Sequence, residues 1–246
     1  MPGPRFHSIL VAIVAASLLA GCTPTNKAGV YYASGKEAVT PDGLHRILWE
    51  PFTVSFVKPG AKLGRYESIL VDEVTVSFKR PPRKTMAADA SIAPNYGLSP
   101  AAIANMRKTF QQAFEKALTQ SQNYTLAQKP GPRTLRIAGH IVDLTISAPP
   151  ENQQPDDATL FVASTGAITL ILNVEDSETG APLVRVGERH SISLFNDEDE
   201  SYQADNESTS AALTNLFESW AAELTRELDQ LGRLPEIPED HQKHEK

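Results

Sequence analysis

Ser68-Ile69-Leu70-Val71-Asp72-Glu73-Val74-Thr75-Val76-Ser77-Phe78 is the stretch that puts a sheet into this fold. Leu70, Asp72, Val74, Val76 and Phe78 alternate with Ile69, Val71, Glu73, Thr75 and Ser77. The first half is apolar on both faces and the second half on one. Period-two alternation of β-branched residues marks a half-buried strand. Asp72 and Glu73 are neighbours on it and point apart, so they form no acid–base pair. An Asp72 sharing the face of Val74 and Val76 would need a partner.

Upstream, Arg46 to Phe56 is apolar but interrupted by Pro51, which predicts an extended segment on the domain edge. Downstream, residues 79–99 are proline-bearing and aperiodic, a long exposed loop. Ser99 and Pro100 then cap and open a helix. Its apolar stripe is Ile103, Met106, Phe110, Phe114, Ala117 and Leu118, and it ends near 121–123. Tyr124 to Ala127 is a short strand, and Lys129-Pro130-Gly131-Pro132 turns the chain.

Thr134 to Ser147 reads as a long strand. Its apolar face moves from Leu135 and Ile137 to Val142, Leu144 and Ile146, which predicts a bulge at Gly139-His140. A polar loop, Pro149 to Asp157, follows. Thr165–Glu175 and Leu183–Leu194 form a hairpin around Asp176-Ser177-Glu178-Thr179-Gly180, with Gly180 free to turn left-handed. Asn196 to Glu207 is an acidic loop. A last helix spans about 210–231, striped by Leu213, Leu216, Phe217, Trp220, Leu224, Leu228 and Leu231, and Gly232 and Pro235 stop it. The expected fold is α+β: a mixed or mostly antiparallel sheet of four to five strands with two helices packed on one face.

The amino terminus is a processing signal. Arg5 precedes an apolar run from Ile9 to about Ala20, shorter than the ~20 apolar residues of a permanent span. Leu19-Ala20-Gly21-Cys22 follows, and Cys22 is the only cysteine. This resembles the lipobox of bacterial lipoproteins. That resemblance implies a diacylglycerol on the Cys22 thiol, cleavage before it and acylation of the new amino group. Several acyl chains give lasting attachment, where one binds only reversibly. Thr23 in place of an aspartate favours the outer membrane. The expected organisation is signal peptide 1–21, lipidated N-terminus and tether 22–43, a single α+β periplasmic domain 44–235, and a disordered charged tail 236–246.

The formal net charge is −7. Loss of the signal removes Arg5 and no acid, so the remainder is more acidic still. An acidic chain is poorly suited to nucleic acid, where binding rests on neutralising phosphates. With Cys22 as the anchor, no thiol remains for an internal disulfide or for cysteine catalysis. Nucleophile elbow, HExxH, Walker A and dinucleotide fingerprints are all missing from the sequence.

The most catalytic-looking cluster is Gly139-His140-Ile141-Val142-Asp143. His140 and Asp143 stand three apart and face opposite sides of a regular strand; a histidine beside a kink and an edge carboxylate is the plainer reading. Asn196-Asp197-Glu198-Asp199-Glu200-Ser201 lacks the turn glycine of a calcium loop and reads as a solvated acidic loop. His241 and His244 lie in the tail. No catalytic residue, metal site or cofactor is assigned, and Cys22 is the only site residue. Phe217 and Trp220 could present a partner surface but fit the core stripe better. The proline loops, with Tyr96 near the first, are the better partner candidates.

Three stretches together resemble a known family. These are Arg65-Tyr66-Glu67-Ser68-Ile69-Leu70-Val71-Asp72-Glu73-Val74, then Lys129-Pro130-Gly131-Pro132-Arg133-Thr134-Leu135-Arg136-Ile137, then Asp176-Ser177-Glu178-Thr179-Gly180. With the lipobox, they resemble the proteobacterial lipoprotein family known as domain of unknown function 3313, over about residues 40–235. The family supplies no catalytic residues. The strand, helix, strands order with an Asp-x-x-Thr-Gly turn is more loosely similar to periplasmic lipoproteins of the curli-secretion-channel and penicillin-binding-protein-activator types, an analogy at fold level.

The expectation is a non-enzymatic, outer-membrane-anchored periplasmic module that binds an envelope protein or self-assembles. It contacts the membrane through Cys22 and binds no nucleic acid. Two alternatives stand beside it. One is an envelope enzyme, a metal-assisted hydrolase using His140, Asp143 or His190. The other is a lipoprotein carrying a small apolar ligand between sheet and helices.

Overall fold

A long central strand orders the architecture. The structure is a computed structural model that describes residues 30–48, 51–79, 98–146, 166–192 and 206–240. The elements run β1 (His45–Ile47), β2 (Val54–Val57), a 3₁₀ turn (Leu63–Arg65), β3 (Ser68–Val71), β4 (Thr75–Phe78), α1 (Pro100–Leu118), β5 (Thr125–Leu126), β6 (Thr134–Ile146), β7 (Gly166–Asp176), β8 (Pro182–Ile192) and α2 (Asn206–Gly232). The sheet order is β1-β2-β8-β7-β6-β3-β5, and β4 also pairs with β6. The four pairings from β1 to β6 are antiparallel, and β3 and β4 lie parallel to β6. A parallel pair needs a crossover, and α1 supplies it.

The class is α+β with a mixed sheet, as expected, but the sheet has eight strands rather than four to five. Arg46 to Phe56 contributes to two short strands instead of one extended segment, with β1 at the sheet edge and β2 between β1 and β8. Tyr124–Ala127 contributes only the two-residue β5.

Ser68–Phe78 also divides, because its apolar phase changes once. Ile69 and Val71 are buried in the first half, and Val74 is buried at the start of the second. Val71 pairs with Ile137 and Thr75 with His140, so the partner register slips by one across Asp72–Val74.

The bulge in β6 lies at Asp143, not at Gly139-His140. Pairing with β7 is regular from Leu135 to Val142 and shifts before Thr145. Asp143 takes a left-handed φ of 51°. Gly139 stays in phase with the buried Ile137 and Ile141. A methyl there would sit 2.6 Å from the Phe110 ring and 3.1 Å from Val74. The glycine that looked like a kink is a core position emptied to admit an aromatic ring.

Ser99 caps α1 as expected, accepting from the Ala102 amide at 3.1 Å. The helix stops at Leu118, a few residues early. Phe110, Phe114 and Phe217 are fully buried between the helices and the face bearing Ile168, Leu170, Leu172 and Val174. Phe110 meets Phe114 and Phe217 at 4.3 and 5.6 Å between ring centroids. Each buried ring contributes about 1.5–3 kcal/mol.

The expected boundaries at 43/44 and 235/236 fall within packed structure. Residues 30–43 strap the free edge of β1, with Tyr32 bridging to Ile47 and Val39 to His45. Ile237 is buried, and the Tyr32 hydroxyl donates to the Pro238 carbonyl at 2.6 Å. Two apolar anchors, Tyr32 and Ile237, thus hold the described parts of the expected tether and tail, residues 30–43 and 236–240, against the domain. The signal, Cys22, most of the three loops and both tail histidines lie outside the described residues.

Candidate functional site

The three stretches that carried the family resemblance meet at one end of the sheet. Asp176 is their centre. Its Oδ1 accepts from the Glu178 and Thr179 amides at 3.1 and 2.9 Å and from the Thr179 hydroxyl at 2.9 Å. Its Oδ2 accepts from the Tyr66 hydroxyl at 2.9 Å and faces Arg65 at 3.4 Å. Gly180 closes the turn at φ 69°. Ser177 reaches the second stretch: its hydroxyl donates to the Gly131 carbonyl at 3.0 Å and accepts from the Gly131 amide at 3.1 Å.

Hydrogen bonds from the turn, above all the Thr179 amide, hold the Asp176 carboxyl below the usual carboxylate range. Burial pushes the Tyr66 phenol up. Asp176 has spent its acceptor sites on the fold, and Tyr66 has spent its proton on Asp176. These bonds make a structural clasp joining β3, β6 and the β7–β8 turn.

The sheet face away from the helices offers more. Successive rows of this face carry Ala138, Asn173, Arg185 and Phe56, then Thr75, His140, Ile171, Gly187 and Val54, then Val142, Thr169 and Arg189. Arg185 is tied to Asn173 at 2.6 Å and to Asp42 at 2.7 Å. Arg136 pairs with Glu175 at 2.5 Å and faces Asp72 at 3.6 Å. Asp72 therefore finds its partner on this face, not on that of Val74. Arg189 is exposed and donates to Thr169 at 3.0 Å. Half-buried Val54, Phe56, Val142 and Ile171 lie between the arginines. No described helix covers them.

The residues proposed for catalysis are not brought together. His140 lies on the helix-free face, bonded to the Thr75 hydroxyl at 2.8 Å. Asp143 is exposed at the bulge. His190 sits on the opposite face of the sheet, its ring edge-on to Trp220 at 6.4 Å. Among the described residues no group of three His, Cys, Asp or Glu is placed to hold a metal, and no helix is long and apolar enough to cross a membrane. Phe217 and Trp220 belong to the core.

Two buried acids on α2 went unnoticed in the sequence. Asp229 accepts from the Ser121 hydroxyl at 2.7 Å and from the Gln122 and Asn123 amides at 2.9 and 3.2 Å. Glu227 lines a small cavity with its Oε2 buried and without a donor among the described residues. Their only sequence signal is a carboxylate on an otherwise apolar helix flank.

The family model described as a protein of unknown function (DUF3313) matches residues 50–224, more than half of the chain. None of the curated proteins matches. Among solved structures, the PelC dodecamer from Paraburkholderia phytofirmans is 11% identical, covering 70% of this chain and 96% of that one, with a TM-score of 0.32. Protein XCC0632 from Xanthomonas campestris is 11% identical, covering 81% and 94%, with a TM-score of 0.34. The hypothetical protein CT253 from Chlamydia trachomatis is 13% identical, covering 66% and 98%, with a TM-score of 0.34. At these scores the likenesses carry no argument about activity or assembly.

Proposed function

We propose that the chain, which belongs to the DUF3313 family, is a non-enzymatic envelope module that binds a protein partner, a second copy included, while Cys22 anchors it to the outer membrane. The observation that carries this reading is the helix-free sheet face. There, arginines alternate with half-buried apolar side chains, a mixture enriched at protein interfaces. Arg136 and Arg185 already hold carboxylates of this chain, so the fitting partner is chiefly apolar with one acidic group for Arg189. The clasp around Asp176 supports the non-enzymatic part, because Asp176, Tyr66 and Ser177 are engaged in one another's hydrogen bonds and those of the turn. The lipobox order in the sequence supports the anchor.

The test is cross-linking in intact cells. The wild-type chain should yield a discrete cross-linked species. Arg189→Glu, an exposed change, should diminish that species at least about five-fold while the melting temperature stays within about 2 °C. A wild-type chain that recovers no specific species, or an undiminished Arg189→Glu, overturns the reading.

A further inference from the structure

Residues 30–39 lie along the outer edge of β1, and little of them is buried. Tyr32 and Ala38 are sequestered and Val30, Ala33 and Val39 half-buried, while Tyr31 and Ser34 to Glu37 are exposed. Three backbone bonds join this strip to residues 46–48. The Ala33 amide donates to Arg46 at 2.9 Å, the Leu48 amide to Tyr31 at 2.7 Å and the Arg46 amide to Ala38 at 2.6 Å. The turn that follows is held separately: Leu44 is fully buried, and Asp42 pairs with Arg185 of β8 at 2.7 Å. A strip with so few buried contacts opens more readily than the body it lies on.

Residues 236–240 hold this strip from outside it. The Tyr32 hydroxyl donates to the Pro238 carbonyl at 2.6 Å, and the Tyr32 ring meets His45 edge-on at 5.9 Å between centroids. His45 Nδ1 stands 2.8 Å from Asp240 Oδ2, and the Asp240 side chain is 1% exposed. Burial, and then the charges of Asp240 and Glu239, push the Tyr32 phenol up, so it stays a donor. The same segment has a footing of its own on the turn before the 3₁₀ helix. Ile237 is fully buried, its amide donates to Ala61 at 2.7 Å and its carbonyl accepts from Gly60 at 2.9 Å.

We propose that residues 236–240 are a latch that keeps residues 30–39 on the sheet edge, and that undoing it lengthens the reach of the domain from an anchor at Cys22. Tyr31 is nine positions from Cys22 and Thr40 is eighteen. With the strip docked, the chain from Cys22 to its first hold spans at most ~30 Å; released as far as the Thr40–Leu44 turn, it spans at most ~60 Å. The longer reach lets the helix-free sheet face meet a partner farther from the membrane. The reach rests on the anchor proposed above; the latch does not.

The latch is tested by hydrogen exchange, read amide by amide by NMR, on the purified full chain. Tyr32→Phe removes one hold and Asp240→Ala the other. Each should speed exchange at Ala33, Arg46 and Leu48 at least about three-fold, and the two together more, while amides of β6 and β7 exchange as in wild type. Strip amides as slow as in wild type overturn the latch, as does acceleration spread evenly over the central strands. The reach is tested on vesicles carrying the acylated chain, with a donor dye on Lys129→Cys and an acceptor in the lipid. Energy transfer should fall in the double variant. Unchanged transfer beside accelerated strip exchange overturns the reach alone. A chain that carries no acyl group by mass spectrometry overturns the anchor, and the reach with it, while the exchange result still decides the latch.

Discussion

Asp229 and Glu227 stand two positions apart on α2, are 7% and 8% exposed, and are treated in opposite ways. Asp229 turns toward the loop after α1 and accepts a hydroxyl and two backbone amides. Glu227 turns toward the β1–β2 edge, where one oxygen has an arginine and the other has no donor among the described residues. The Asp176 clasp belongs with Asp229: every polar reach is answered by a neighbour. The difference separates carboxylates that build the fold from one the fold pays to keep. Burial alone does not distinguish them; the hydrogen-bond inventory does.

The largest expected effect is at Asp229. Asp229→Ala strips the acceptor from three partly buried donors and should cost about 2–3 kcal/mol, read as a fall in the urea midpoint at unchanged slope. A loss below about 1 kcal/mol would break the comparison, because Asp229 would then be as dispensable as Glu227.

Glu227→Gln should do little harm at pH 7, staying within about 1 kcal/mol of wild type or exceeding it, since it removes a poorly served buried charge. Its signature is in the pH profile. Burial raises the Glu227 carboxyl above its ordinary 4.5. The folded state thus holds the proton longer than the unfolded one, and stability falls as pH rises from about 4.5 through the raised value. The wild-type minus Glu227→Gln difference should show that decline. A flat difference would mean that Glu227 is as well served as Asp229.

Much of the fold was legible because it depends on local periodicity. The stripe from Met106 to Leu118, the Ser99 cap and the Gly180 turn each follow from a few adjacent residues. The strand count was not legible. A two-residue β5 or a three-residue β1 gives no periodic signal, and both exist because a neighbouring edge offers hydrogen bonds. The phase changes in β3–β4 and β6 were visible, but their cause was misassigned. Gly139 suggested a bulge, whereas the ring that needs that glycine, Phe110, is remote in sequence. The three family stretches were readable one by one; that they converge on Asp176 is a long-range fact. Glu227 was invisible for the same reason, since its status rests on which donors the sheet edge fails to bring.

The most direct test of the functional account is site-specific photo-cross-linking in living cells. Probes at Thr75 and Ser191 sit on the exposed helix-free face, and probes at Lys108 and Ser219 sit on exposed helix positions. The account predicts one discrete partner, or a dimer of this chain, captured from Thr75 and Ser191 and not from Lys108 or Ser219. Capture from the helix positions alone, or from none of the four, would contradict it.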